Sequence, residues 1–352
     1  MIIGRAGLTA HPVTNMRNGT DLPQKTKRMN RKFDIVSYLA AFCLALAFLT
    51  GCNKGLDTRV EDPASSGTPI SFTSEDSWTR AETSDLAAIQ SGGFQVWGKL
   101  TTDTYPNGTQ QFGESGTLVT YAAAKSEWTY SPVRYWMKGT YDFFAVYPPS
   151  LAESATVDSR GVKFDYDVTT QKDILAAHPE PIKGEERPSA VRLDFSHLLS
   201  KLEFAARSSS SFKAELNGID IKIVAKSASY SSATSQWSNH QVSSGVIYTV
   251  PGNENLGSAY VTLESDILMI PQDYKDVILV VRYMVNGTQK SVNLSIPSYT
   301  DKNGNTVTTW QPGFKYTYNL SVEGSGPDTP IIFDVPTVTP WVEAYGGGFL
   351  IN

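Results

Sequence analysis

Downstream of residue 69 apolar and polar positions alternate with a period of two, the signature of half-buried β-strands. Ile70 and Phe72 alternate with Ser71 and Thr73. Phe94, Val96, Gly98 and Leu100 share one face of the next run. Tyr141-Asp142-Phe143-Phe144-Ala145-Val146-Tyr147 is apolar on both faces and predicts a central strand between packed layers. Pro148-Pro149 ends it, because proline cannot donate to a ladder. Val162, Phe164, Tyr166 and Val168 alternate with Lys163, Asp165 and Asp167.

The second half has the same style. Val191, Leu193 and Phe195 keep odd parity, whereas Leu198, Leu202 and Phe204 are even. A strand cannot change face without an extra residue or a turn, so a bulge or short helical turn is expected at Ser196–Ser200. Ile219, Ile221, Ile223 and Ala225 predict another strand. Val277, Leu279, Val281, Tyr283 and Val285 run into Asn286-Gly287, and Val292, Leu294 and Ile296 return. Asn-Gly between alternating runs is a hairpin signal, since both central residues adopt positive φ. Tyr316, Tyr318, Leu320 and Val322 make a late strand, with Ser321 on its polar face. No window after residue 52 sustains apolar residues at i, i+3, i+4 and i+7 over three turns. The body is therefore read as all-β, with under a sixth of its residues helical. The charged, proline-bearing stretch Pro179–Pro188 is the expected boundary between two β-sandwich domains, 70–185 and 189–352.

The N-terminal segment is of another kind. Residues 35–49 are almost wholly apolar and follow Arg31 and Lys32. A membrane-spanning helix needs about 20 apolar residues, so this run suits the hydrophobic region of an export signal, placed at 1–51. Leu49-Thr50-Gly51-Cys52 follows, small residues ahead of a cysteine. Met29-Asn30-Arg31-Lys32 looks like the start of such a signal, and residues 1–28 read as an over-extended beginning. Residues 52–69 are rich in Asp, Glu, Ser, Gly and Pro and read as a flexible tether.

Composition narrows the chemistry. Of 352 residues, 40% are hydrophobic and 18% charged, enough apolar material to exclude wholesale disorder. Net charge is −5, but residues 1–51 hold seven basic and two acidic groups, leaving 23 basic against 33 acidic. Such a body does not seek nucleic acid by charge. The two cysteines, Cys43 and Cys52, lie near one end, which excludes a disulfide framework or a thiolate zinc site. His178, His197 and His240 show no metal-ligand spacing with one another. No nucleophile elbow, phosphate loop or dinucleotide fingerprint is present. Hence no enzyme, no catalytic residue, no cofactor and no metal are expected. Asp165 and Asp167 read as a solvated strand face, and His197, at the parity change, as a structural hydrogen-bonding group. Trp128, Trp136 and Trp237 read first as packing; exposed, they would let a monomeric surface lipoprotein bind glycan.

Taken in order, several segments resemble the fimbrillin-like proteins of the Bacteroidales, subunits of type V pili. They are Leu49–Cys52, similar to a lipobox; Ile70-Ser71-Phe72-Thr73 with Thr79-Arg80-Ala81; Tyr141–Pro148; Asp173-Ile174-Leu175; Leu193–Phe204; Ile267–Gln272; and Pro340-Trp341 with Gly346-Gly347-Gly348. The resemblance implies two transthyretin-like β-sandwich domains. It implies cleavage between Gly51 and Cys52 and acylation (palmitate) of Cys52. It implies an outer-membrane lipoprotein intermediate, and a fimbrium that serves cell adhesion. It also implies that an arginine-specific protease removes the first strand, so that a strand of another fimbrillin subunit can fill the groove.

The residues fit that scheme independently. Cutting between Arg80 and Ala81 frees a segment containing Ile70 and Phe72; Arg59 is the alternative site. The lost strand leaves unpaired backbone groups beside an apolar slot, a template for a new strand. The C-terminus offers candidate donors: Ile331, Phe333 and Val335, then Val338, Trp341 and Val342, then Phe349-Leu350-Ile351. Ile331-x-Phe333 repeats the pattern Ile70-x-Phe72. The other reading is that Ile331–Val335 is the last strand of its own subunit.

Overall fold

A computed structural model describes residues 67–74, 83–208, 213–301, 303–323 and 331–341. These residues are all-β apart from one α-helix, Thr83–Gly92, and short 3-10 turns at Pro149–Ser154 and Val168–Thr170.

The first large sheet runs in the order Ser196–His197, Leu175–Ala177, Thr140–Tyr147, Phe94–Thr101, Thr117–Ala122, Glu127–Thr129. Thr140–Tyr147 is central, as its two-faced pattern predicts. Tyr141, Phe143 and Ala145 lie in one core with Ile70, Phe72, Phe94 and Val96. Phe144 and Val146 lie in a second core with Phe164, Leu202, Phe204 and Tyr318. Gly98, on the adjacent strand, is required there. A Cβ would sit 2.6 Å from Phe112 Cδ2 and 2.9 Å from Phe143 Cε1.

Two more sheets build the rest. In one, Ser200–Ser208 lies between Val261–Met269, antiparallel, and Phe314–Val322, parallel. In the other, the 18-residue strand Ala214–Ser231 pairs with Gln236–Val250 and Glu254–Leu256, with Ile278–Val285, and with Val162–Asp167. Ile278–Val285 and Thr288–Ser295 form the hairpin signalled by Asn286-Gly287, which have φ of 49° and 80°.

Around the stretch 179–188 the chain trades segments between the cores. Ile182–Lys183 pairs back onto Thr140–Tyr141. Val191, Leu193 and Phe195 then join the core of Ile70 and Phe72, whereas Val162, Phe164 and Tyr166 belong to the other core. The parity change at Ser196–Ser200 has a simple cause. Ser196–His197 pairs with Leu175–Ala176 in the first sheet, and Ser200–Ser208 starts in another, with a bend and no helical turn between. Leu198 and Leu199 are both buried at the crossing.

Two further readings are corrected. Ser321 is 2% exposed, because Arg207 Nε donates to its Oγ at 2.8 Å and Tyr260 Oη lies 3.0 Å from it. Ile223, expected inward with Ile219 and Ile221, is half-buried with φ of 57°, at a break in the register between Lys222 and Val224.

Candidate functional site

Two strand seats and one histidine gather the strand and histidine residues singled out by sequence. The first seat holds residues 67–74. On one edge Ile70 N–H donates to Arg134 O at 2.8 Å and Trp136 N–H to Thr68 O at 3.0 Å. On the other, Val191 N–H donates to Ser71 O at 2.7 Å and Leu193 N–H to Thr73 O at 3.0 Å, with Phe72 paired in parallel to Val191. Side chains add to this ladder. Tyr130 Oη donates to Ile70 O at 2.7 Å and Trp128 Nε1 to Ser74 Oγ at 2.9 Å. Burial pushes the Tyr130 hydroxyl pKa up, partly offset by the Arg134 backbone bond, so it stays a neutral donor.

Ile70 and Phe72 are 1% and 5% exposed. The Phe72 ring meets Phe94, Phe112, Tyr130 and Phe143 at centroid distances between 5.6 and 6.2 Å, mostly edge to face. Such pairs add to the burial of the ring itself. Removing this strand would open a slot lined by aromatic rings and by the free backbone groups of residues 134–136 and 191–193.

The second seat holds the C-terminal strands on their own chain. Ile331–Phe333 pairs antiparallel with Phe314–Val322, setting Ile331 opposite Val322 and Phe333 opposite Leu320. Thr337–Pro340 continues along the same strand, with Val338 opposite Tyr316. Ile331, Phe333 and Val338 are only half-buried against the core, and Val335 is 79% exposed. Trp341 differs, at 6% exposed, with its N–H donating to Gly313 O at 2.7 Å.

His197 lies under Trp341. The ring is almost fully buried, and Nδ1 lies 2.6 Å from Asp173 Oδ2. Nε2 lies 3.2 Å from Asp85 Oδ2, an ion-pair contact off the line of a good hydrogen bond. Trp341 stacks on the imidazole at 3.7 Å between centroids and 6° between planes. Burial opposes charge on the ring, but the hydrogen bonds and charges of Asp173 and Asp85 outweigh it and hold the pKa up at about 9. Burial pushes the Asp173 carboxyl up, the imidazolium only partly offsetting it. Among the described residues this is the one group of side chains assembled as a metal could use. The ring faces a carboxylate at each nitrogen, however, so it fits two protons better than a metal. The sequence marks His197 at a change of parity but not its partners, since Asp85 and Asp173 are far off along the chain.

The remaining candidates are placed as follows. Gly51, Cys52, Arg59, Arg80, Ala81, Val342 and Phe349-Leu350-Ile351 lie outside the described residues. Trp136 is buried; Trp128 and Trp237 are half-buried, and Trp237 Nε1 donates to Leu198 O at 2.8 Å. Asp165 accepts from Ser229 Oγ, and Asp167 caps the turn at Thr169. Among the described residues no helix is long and apolar enough to cross a membrane.

Among the described residues the fold thus seats 67–74 deeply and 331–340 shallowly on a β framework. A model described as fimbrillin-like matches residues 79–341, and the chain belongs to that family. A fimbrial protein from Bacteroides vulgatus superposes with a TM-score of 0.53 at 14% identity, over 78% of this chain and 99% of that one, which shows a shared fold. The tip fimbrial protein Mfa3 from Porphyromonas gingivalis, C-terminally truncated, gives a TM-score of 0.41 at 10% identity, over 78% and 100%. No curated protein matches the chain.

Proposed function

We propose that the chain is a structural or accessory subunit of a surface fimbrium, serving cell adhesion. On this reading it is exported as a lipoprotein, cut between Gly51 and Cys52, acylated at Cys52 and held at the outer membrane. An arginine-specific protease cuts between Arg80 and Ala81, the strand bearing Ile70 and Phe72 leaves, and a neighbouring subunit's C-terminal segment takes its place. Two sandwich domains, near 70–185 and 189–352, would share the second core through Phe144 and Val146 and trade the segments around 162–168 and 191–197.

The observation that supports exchange is the unequal depth of the two seats. Fully burying a Phe or Ile side chain is worth about 1.5–3 kcal/mol. Ile331 and Phe333 are half-buried at home, whereas Ile70 and Phe72 occupy a closed slot. Moving such a pair from the shallow seat to the deep one gains on the order of 2 kcal/mol, with backbone pairing re-formed. The shared Ile-x-Phe spacing presents both side chains on one face.

Deleting residues 331–352 tests this. The deep seat is built from other residues, so the truncated subunit should accept a neighbour's strand yet lend none. Mixed with wild type, it should shorten polymers in proportion to its fraction. Polymers of unchanged length would remove the donor role, and loss of folding on deletion would make the segment an internal strand.

A further inference from the structure

We propose that His197 couples the docking of the C-terminal segment that carries Trp341 to the docking of the helix Thr83–Gly92, so that loosening either loosens the other. The ring belongs to the short strand Ser196–His197, which is anchored on Leu175–Ala176. From that fixed point it reaches three elements. Asp85 comes from the first turn of the helix, Asp173 from the segment leading into Leu175–Ala177, and Trp341 from the end of the C-terminal strands.

The geometry requires the coupling to run through charge. A neutral imidazole has one N–H and one lone pair, so one of the two carboxylates would face a lone pair. With both carboxylates ionised, only the doubly protonated ring offers an N–H to Asp85 and to Asp173 together. The same positive charge favours the indole face of Trp341, because a cation over a π-system is attracted by its quadrupole. Trp341 in turn covers the ring from water and so strengthens both ion pairs. Lys201 Nζ lies 4.6 Å from the Trp341 ring, while pairing with Asp266 at 2.8 Å. Tyr147 and Tyr166 also feel the Asp173 charge; burial first, then that charge, pushes both hydroxyls up, so they are neutral neighbours. His197 therefore faces two carboxylates and one aromatic ring that also lies against Lys201, while two neutral phenols neighbour Asp173.

Coupling of this kind is reciprocal. Taking the charge off Asp85 weakens the ring's hold on a proton, and hence the stack on Trp341. Removing the indole exposes the ring and weakens its pairing with Asp85. The inference does not depend on strand exchange. If the tail is a donor strand, its release answers to the helix that begins just beyond Arg80.

Hydrogen–deuterium exchange on the full chain tests it. Asp85→Asn should speed exchange of amides in 331–341 about tenfold, and Trp341→Ala should do the same to the helix amides. Asp85→Glu should restore protection in 331–341. If each substitution perturbs only its own element, the coupling is wrong. A wild-type measurement holds even if a variant fails to fold: nitrogen NMR of His197 should show both ring nitrogens protonated at pH 7. A singly protonated ring overturns the proposal.

Discussion

Replacing Phe72 with alanine probes the depth of the first seat. The ring is 5% exposed and touches four aromatic rings, of which Phe94 and Phe143 are fixed on paired central strands. Removing a Phe from such a site costs about 3–5 kcal/mol, the transfer of the ring plus the cavity it leaves. Phe333→Ala is the matched control. Its ring is half-buried at a sheet edge, near one aromatic neighbour, Tyr318, at 6.5 Å, and water can fill the space. The same truncation there should cost about 1–2 kcal/mol. Urea unfolding of the full chain measures both, provided the denaturant slope is unchanged so that midpoints report stability alone. The ratio decides. Equal costs, or a Phe72→Ala loss under about 1 kcal/mol, would mean the first seat is no deeper than the second. Strand exchange would then have no burial gradient to drive it.

Other outcomes follow from the same residues. Arg80→Ala should leave the subunit folded and lipidated but unassembled, because Ile70 and Phe72 stay seated; heat-resistant ladders on a gel from the variant would rule out Arg80 as the switch. Cys52→Ala should leave an unacylated precursor that fails to reach the outer membrane, and normal fractionation of the variant without detergent would refute this. The His197 pKa is raised, from 6.5 to about 9, so its contribution is complete below about pH 6.5 and is lost as pH rises through 9. The full shift corresponds to about 3 kcal/mol, less what the raised carboxyl of Asp173 takes back. Wild type should therefore lose its advantage over His197→Gln between pH 6.5 and 9 in urea midpoints, and parallel profiles would show that the ring is not charged.

Most strands were legible because a β-strand writes its own pattern. Tyr141–Tyr147 announced a strand covered on both faces, and Asn286-Gly287 announced its hairpin. The helix Thr83–Gly92 left little trace, since among its described side chains only Ile89 is fully buried, and one buried residue makes no stripe. Ser321 misled because alternation assigns a face, not what covers that face; Arg207 from the neighbouring strand and Tyr260 from the residue before another close over it. The parity change at 196–200 was visible, but a bulge and a change of sheet leave the same mark. The partners of His197 were beyond reach because nothing local connects a histidine to a carboxylate 112 positions earlier. The cores trade segments for a similar reason: pairing between strands far apart in sequence is chosen by packing, not by local pattern.

The two edges of residues 67–74 also bear on tensile load. Bonds to residues 134 and 136 on one side and 191 and 193 on the other lie across the strand's axis. A force directed along that axis must shear all four at once while dragging Phe72 out from between its rings. The C-terminal strands hang on one edge only and are interrupted at Pro336, so a force lifting their end breaks contacts in succession, as a zipper opens. The described fold thus has a shear-resistant joint at residues 67–74 and a peelable one at residues 331–340.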